Sequence, residues 1–168
     1  MHDDTSTDKR ERILEAVLAV LACDGISGVT MRAVAREAEV ALGLATYYFE
    51  DKDGLVAAAL ERIADSDAAL VEPTPGAEPS EALRVALHRI ADPDFLSVPY
   101  LALRLQLWSL AGVDERYAAI NQAAQRRYLT GLVALLAAAR PDLSPGEVGR
   151  RANDILIVQN GVLSLIHI

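Results

Sequence analysis

The apolar residues of this chain recur every three or four positions over several successive stretches, as they do on one face of an amphipathic helix. In the first stretch they are Ile13, Leu14, Val17, Leu18 and Leu21. No stretch alternates apolar and polar residues in the manner of a half-buried strand. The pattern therefore predicts an all-α protein.

Capping residues and helix breakers divide this pattern into eight predicted helices. Thr30 is a good N-cap, Gly25 can end the first helix in a left-handed conformation, and Val71–Pro79 is the clearest linker. Asp8, Ser80, Asp114 and Ser144 are the other predicted helix starts with a side-chain cap. The helices are predicted over residues 8–23, 30–38, 41–49, 53–70, 80–91, 95–111, 114–140 and 145–168.

The last predicted helix is apolar on more than one face from Ile155 onward, so it must be buried against something. Burial against a second subunit is the economical expectation. The chain also ends inside this helix at Leu165–Ile168 without a capping residue, and a truncated C-terminus is a further expectation from the sequence.

Composition narrows the class of protein. The chain has 168 residues, of which 52% are hydrophobic, and a net charge of −8, which argues against non-specific coating of nucleic acid but leaves specific binding open. The single cysteine, Cys23, cannot form an intramolecular disulfide and is expected to be a small core residue. There is no signal-peptide pattern and no apolar run of about 20 residues, so we expect a cytoplasmic protein.

Two short predicted helices joined by a tight turn lie at residues 30–49. A helix-turn-helix unit has this layout and places its second helix in the DNA major groove. The first predicted helix would complete a trihelical head. Short helix pairs are common in all-α proteins, so the layout alone is only moderately specific.

The residues within this layout are more specific. Tyr47-Tyr48-Phe49 ends the second helix of the pair, and Lys52 and Leu55 follow at the start of the next one. With the threonine-capped first helix, this pattern resembles the DNA-binding head of the TetR family of transcriptional regulators. The resemblance covers about Lys9–Leu60, whereas farther along the chain only the number and lengths of the helices match.

Two residues depart from the family pattern. Glu39 replaces the glycine of the turn, and Ala41 replaces the serine that caps the recognition helix. We therefore expect a locally helical or strained turn and a helix without a side-chain cap.

Residues 1–52 hold six basic and ten acidic side chains, so a DNA-binding surface depends on where the basic ones lie. The residues expected to point toward phosphates are Lys9, Arg10, Arg32 and Lys52.

The resemblance implies that both helices of the pair contribute to the DNA-binding surface. The expected DNA-binding residues are Thr30, Arg32, Leu42, Gly43, Leu44, Thr46, Tyr47, Tyr48 and Lys52. Hydroxyl groups and helix N-termini bind phosphate, while short side chains allow close approach to base edges. Thymine methyl contacts and DNA shape would then carry much of the specificity. Phe49 is predicted to be core and Arg36 a solvated surface charge, and a core role stays open for Tyr48.

The resemblance also implies a ligand cavity among the fifth to eighth helices. The expected ligand-binding residues are Phe95, Tyr100, Arg104, Trp108, Tyr117, Asn121 and Gln125. A pocket needs an apolar lining with a few convergent polar groups, which this set supplies. The alternative is that the aromatic residues are ordinary core and that Arg104 is a surface or acid-paired residue. His88 has no second ligand at metal-binding spacing.

The expected function is therefore that of a ligand-responsive transcriptional regulator, and repression is the family default. Residues 1–52 would form the DNA-binding domain, and residues 53–168 the ligand-binding and dimerisation domain. A homodimer would bind palindromic operator DNA and release it on binding a small apolar or amphipathic effector. The alternative is a helical small-molecule-binding or interaction module with weak or lost DNA binding. No catalytic motif is visible, so we expect neither an enzyme nor a cofactor.

Overall fold

The computed structural model describes residues 4–92 and 98–166, and these residues form α-helices joined by short turns without any strand. The all-α prediction is confirmed. The helices are α1 (Asp4–Gly28), α2 (Met31–Glu37), α3 (Leu42–Phe49), α4 (Lys52–Leu70), α5 (Pro79–Ile90), α6 (Val98–Ala111), α7 (Glu115–Ala139) and α8 (Pro145–Ile166).

The first helix differs from its prediction at both ends. It begins at Asp4, so Asp8 is an exposed residue inside the helix and not its N-cap. Gly25 takes φ 67° and ψ −172°, a conformation that is essentially confined to glycine, and this break interrupts the helix as predicted. One further turn of helix follows the break and ends at Gly28.

Three later helix starts show how well the capping signals worked. The prediction that Ser80 caps α5 is wrong, because the helix begins one residue earlier at Pro79. Proline is favoured in a first helical turn, where a backbone N–H would have no intrahelical partner. Asp114 does cap α7, since its Oδ1 accepts a hydrogen bond of 2.8 Å from the backbone N–H of Arg116. Ser144 and Glu147 form a capping box at α8, in which the carboxylate accepts from the backbone N–H of Ser144 at 2.9 Å.

The chain divides into two compact units, whose boundaries fall within α4, α6 and α7. The first unit comprises the residues up to Ile63 together with Ala102–Ile120. In it, α1 packs against α2 and α2 against α3. Its largest fully buried side chains are Ile13, Val17, Leu21, Val29, Val34, Leu55 and Val56.

Cys23 lies outside this core. It is exposed, so the prediction of a small core residue is wrong. The buried stripe of α1 advances by four residues at a time through Ile13, Val17 and Leu21. Cys23 follows Leu21 by two residues, and a step of two in a helix rotates a side chain to the opposite side.

The second unit comprises Ala64–Leu101 and Asn121–Ile168. Its described core residues come from α5, α7, α8 and the linker after α4, namely Val71, Ala82, Ala86, Ile90, Tyr128, Leu132, Leu135, Leu136, Val148 and Ala152. A Cβ atom on Gly131 would lie 2.6 Å from Cγ2 of Val71, so the glycine is needed for this close approach. The hydroxyl of Tyr128 donates a hydrogen bond of 2.6 Å to Oε1 of the buried Gln159.

Candidate nucleic-acid interface

Helix α2 is anchored at its first residue and buries one side. Oγ1 of Thr30 accepts a hydrogen bond of 3.0 Å from the backbone N–H of Ala33, which confirms Thr30 as the N-cap. Val34 and Ala35 are buried. Arg32 is exposed, and Arg36 is an exposed surface charge as predicted.

Helix α3 has one buried and one exposed side. Ala45 and Phe49 are four residues apart and buried, which confirms Phe49 as core, while Leu44 and Tyr48 are half-buried beside them. The other side consists entirely of residues that were expected to meet DNA: Leu42, Gly43, Thr46 and Tyr47 are all exposed. We call these four residues the exposed α3 face.

The exposed α3 face combines small and large groups. A Cβ atom on Gly43 would have no neighbour within 4 Å, so another surface could approach the backbone there. The hydroxyl of Thr46 donates to the carbonyl of Leu42 at 3.1 Å and keeps its acceptor lone pairs. Tyr47 is 78% exposed and stands edge-on to Tyr48, with ring centroids 5.3 Å apart. The surface is low at Gly43, and the ring of Tyr47 projects beside it. This shape suits the groove of a DNA duplex.

The turn between α2 and α3 is strained, as its sequence predicted. Glu39 takes φ 54°, a left-handed conformation that costs a residue with a Cβ about 1–2 kcal/mol. The backbone N–H of Val40 donates to the carbonyl of Ala35 at 2.9 Å across this turn. Ala41 follows as the N-cap of α3 and makes no side-chain capping bond.

Several basic residues of the head are engaged inside the first unit. The guanidinium of Arg10 lies over the ring of Phe49, 5.3 Å from its centroid, and that of Arg12 donates to the carbonyl of Ala38 at 2.8 Å. Nζ of Lys52 donates to the carbonyl of Ile26 at 2.8 Å. No local pattern indicated these partners, since each is distant along the chain. An ammonium group has three donors, so the bond to Ile26 leaves Lys52 able to bind a phosphate as well.

The chain turns sharply between α3 and α4. Glu50 takes φ 58° and ψ −61°, and the N–H of Asp51 donates to the carbonyl of Phe49 at 2.6 Å, which together define a strained γ-turn. Oδ1 of Asp51 then accepts from the N–H of Gly54 at 2.8 Å and caps α4. A Cβ atom on Gly54 would overlap the carbonyl oxygen of Phe49, so only glycine fits there. This loop holds the end of α3 close to the start of α4.

The first turn of α4 is also bonded to the first turn of α7. Nη2 of Arg116 lies 2.9 Å from Oδ2 of Asp53, and the hydroxyl of Tyr117 donates to Oδ1 at 3.2 Å. The hydrogen bond from Arg116 is the main reason that the pKa of Asp53 lies below its ordinary value of 3.8. Burial raises the pKa of Tyr117 above 10.0, and the charge of Asp53 adds to this. Tyr117, expected to bind ligand, thus has its hydroxyl engaged with Asp53.

The other expected ligand-binding residues are distributed between the two units. Arg104 and Trp108 come together in α6, where the guanidinium lies 5.2 Å from the centroid of the ring. Asn121 is half-buried and Gln125 is exposed. Phe95 lies outside the described residues, and the side chain of Tyr100 is not among those described. The sequence did not single out Gln106, whose Oε1 is buried and accepts no hydrogen bond within the described part of the chain.

Within the described residues, the His, Cys, Asp and Glu side chains form no metal-binding cluster, and the helices include no membrane span. Across residues 4–92 and 98–166, no group of three or more His, Cys, Asp or Glu side chains is arranged to hold a metal ion. His88 is exposed. None of the helices in these two ranges combines the length and the apolar character needed to cross a bilayer.

Comparison with known proteins agrees with this geometry. Residues 13–59 match the model of the bacterial regulatory proteins of the tetR family. The HTH-type transcriptional regulator BetI of Burkholderia thailandensis is 29% identical in an alignment of 138 residues that covers 79% of this chain and 70% of that protein. The fold resembles that of a TetR transcription regulator from Haloarcula marismortui, with a TM-score of 0.78 at 20% identity, and the match covers 94% of this chain and 85% of that one.

A further solved structure of similar fold contains a small molecule. The multidrug binding protein EbrR, complexed with malachite green, has a TM-score of 0.65 and 26% identity, and the match covers 92% of this chain and 86% of that one. Family match, curated relatives and fold agree. Residues 13–59 carry the tetR-family domain, and the chain is similar over most of its length to an HTH-type transcriptional regulator.

Proposed function

We propose that this regulator is a repressor that binds operator DNA as a homodimer and releases it when a small apolar or amphipathic molecule binds. Residues 1–52 serve as the DNA-binding domain in this proposal, and residues 53–168 as the ligand-binding and dimerisation domain. The observation that carries it is the exposed α3 face, Leu42, Gly43, Thr46 and Tyr47. A helix that leaves a leucine and a tyrosine side chain in water offers an apolar patch to a partner surface.

The proposed contacts follow from the exposure of each side chain. Thr46 and Tyr47 offer hydroxyl groups to base edges or phosphates, and Leu42 offers methyl groups to thymine. Gly43 allows close approach of the helix backbone. The remaining proposed DNA-binding residues are Thr30, Arg32, Leu44, Tyr48 and Lys52. Of these, Arg32 is the exposed cation best suited to a phosphate.

An in vitro selection from a random duplex library with the full chain tests this proposal. We expect recovered duplexes to bind with a salt-dependent affinity and to share a palindromic sequence. Tyr47→Ala should abolish the preference without lowering the melting temperature, since the side chain is 78% exposed. Val113→Ala, at a position 83% exposed in the turn before α7, is the matched control. Recovery of no sequence preference at low salt would contradict the proposal.

An effector site is proposed at Arg104, Trp108 and Tyr117, the expected ligand-binding residues that lie in the first unit. Support comes from the paired Arg104 and Trp108 and from the buried Oε1 of Gln106, which could accept a hydrogen bond from a ligand. The bound malachite green of EbrR is a precedent of similar fold. Trp108 is the only tryptophan of the chain, so its fluorescence can report binding. Quenching by malachite green that also releases a selected duplex would support the effector site.

Dimerisation is proposed through α8. Ile157 is 59% exposed and Val158 65% exposed, although both lie in a helix whose other side is core. Burial of such groups against a second copy is favourable by about 25 cal/mol per Å² of apolar surface. Light scattering should therefore give a dimer, and Ile157→Lys with Val158→Lys should give a monomer with weaker binding to palindromic DNA. A wild-type monomer that binds the palindrome fully would contradict this part of the proposal.

A further inference from the structure

The turn between α2 and α3 holds a residue that its conformation does not favour. Glu39 has φ 54°, and a side chain with a Cβ is crowded there, whereas glycine is not. The hydrogen bonds of the turn, from Glu39 N to Arg36 O and from Val40 N to Ala35 O, are 3.2 Å and 2.9 Å long. An interaction from outside the turn would offset the cost of this conformation.

The side chain of Arg12 supplies one. It reaches from α1, 26 residues earlier, and its Nη2 donates to the carbonyl of Ala38 at 2.8 Å. Ala38 is the C-cap of α2 and directly precedes Glu39. A guanidinium is always charged, so this is a charge-assisted hydrogen bond to a carbonyl at the end of a helix, where a cation is favoured. The neighbouring Ile13 is fully buried and holds this part of α1 in place.

The start of α3 has little else to orient it. Ala41 makes no side-chain capping bond, so α3 is directed by the backbone of the turn and by the burial of Ala45 and Phe49. A change of backbone angles at Glu39 would rotate the whole exposed α3 face. The conformation of the turn therefore determines what this face presents to DNA.

We infer that Arg12 is a positioning residue for DNA binding, which holds the carbonyl of Ala38 and thereby the left-handed turn at Glu39. It acts through α3 and does not itself contact phosphate. The inference rests on the proposed recognition surface of α3. It also explains how this chain keeps a helix-turn-helix geometry with glutamate where the TetR-family pattern has glycine.

Three backgrounds at position 39 test the inference. Arg12→Ala is made in the wild-type chain, in Glu39→Gly and in Glu39→Ala, and each protein binds a duplex selected with the wild type. In the wild-type background we expect a loss of about tenfold in affinity, the size typical of a hydrogen bond to a charged group. In the Glu39→Gly background the loss should disappear, because the turn no longer needs an anchor. In the Glu39→Ala background, which lacks the charge but keeps a Cβ, the loss should remain.

The salt dependence of binding separates positioning from direct contact. Each phosphate contact contributes about 0.9 to the slope of log K against log salt. Arg12→Ala should leave this slope unchanged, and Arg89→Ala is the control. Arg89 also donates to a loop carbonyl, that of Glu72 at 3.1 Å, but lies outside the head. If Arg12→Ala unfolds at the assay temperature, Arg12→Met in the same three backgrounds gives the same comparison, because methionine keeps a long apolar stem but has no hydrogen-bond donor.

The results that would overturn the inference are distinct. They are wild-type affinity in Arg12→Ala, an equal loss in the wild-type and Glu39→Gly backgrounds, or a slope reduced by about one phosphate contact. Tyr47→Ala is measured beside them on the same duplex. If Tyr47→Ala binds normally, the recognition surface itself is wrong, whereas a Tyr47 effect without an Arg12 effect rejects the positioning role alone.

Discussion

Tyr117 donates a hydrogen bond of 3.2 Å to Oδ1 of Asp53 from a side chain that is only 5% exposed. Arg116 binds the other oxygen of the same carboxylate at 2.9 Å, and its guanidinium lies 5.0 Å from the centroid of the Tyr117 ring. The residue before Asp53, Lys52, holds the carbonyl of Ile26. Two consecutive residues at the start of α4 are thus bonded to two other helices of the first unit.

Tyr117→Phe should raise the pKa of Asp53 toward 3.8, because the phenolic donor that favours the carboxylate is lost while the ring stays. An NMR titration of the Asp53 carboxyl carbon measures this. A lowered pKa stabilises the fold above pH 3.8 and loses that effect as the pH falls through the folded value, so the variant should be less stable than wild type at neutral pH and equal to it in acid. Tyr128→Phe, a matched change in α7, should leave Asp53 unaffected; an unshifted Asp53 in Tyr117→Phe would refute the prediction.

Gly54→Ala should destabilise the head, since the new Cβ overlaps the backbone carbonyl of Phe49, which cannot rotate away. Overpacking of this kind costs about 1–3 kcal/mol, or a melting temperature lower by roughly 2–12 °C. Gly149→Ala is the control, because a Cβ there meets nothing within 4 Å and alanine is favoured over glycine in a helix by about 1 kcal/mol. Calorimetry should show opposite shifts for the two variants, and a stabilised Gly54→Ala would show that the loop is loose.

Loss of the hydrogen bond between Tyr128 and Gln159 should destabilise the fold most when only one of the two partners is replaced. Tyr128→Phe leaves the buried Oε1 of Gln159 without this donor, which costs about 1–3 kcal/mol of unfolding free energy. Replacing both partners, Tyr128→Phe with Gln159→Leu, should recover most of that loss because no buried acceptor remains. Urea denaturation of the four proteins in this cycle measures the coupling, and strictly additive losses would argue against it.

The ion pair of Arg140 and Asp142 stabilises the fold, and we expect this contribution to change only at acid pH. The hydrogen bonds from Arg140, 2.8 Å and 2.6 Å long, are the main reason that the pKa of Asp142 falls from 3.8 to about 2. The stabilisation is complete above pH 3.8 and is lost as the pH falls from 3.8 through about 2. Arg140→Gln should return the pKa toward 3.8 in an NMR titration. Arg84→Gln, which breaks the similar surface pair with Glu81, should not move Asp142.

Local features of the chain were predictable because their determinants lie within a few residues of each other. Thr30 caps a helix whose first N–H groups lie three residues away, and Phe49, which was predicted as core, is buried together with Ala45 one turn before it. Tyr47 is on the other side of α3. The all-helical fold and the head could be inferred for this reason. Ser80 shows the limit, since a neighbouring Pro79 supplied an equally good local start.

The partners of the long basic side chains were beyond such inference. Arg10 and Lys52 were expected to point toward phosphates, yet in the fold they contact Phe49 and Ile26, and Arg12 contacts Ala38. A guanidinium or ammonium on a flexible stem can reach many acceptors, and which one it meets depends on how α1 packs against its neighbours. Periodicity and capping thus suffice for the helices, whereas the residues of the exposed α3 face were expected from the resemblance to the TetR family. The packing of distant segments alone assigns Arg12 to the turn and Asp53 to α7, because those contacts join residues that no local pattern relates.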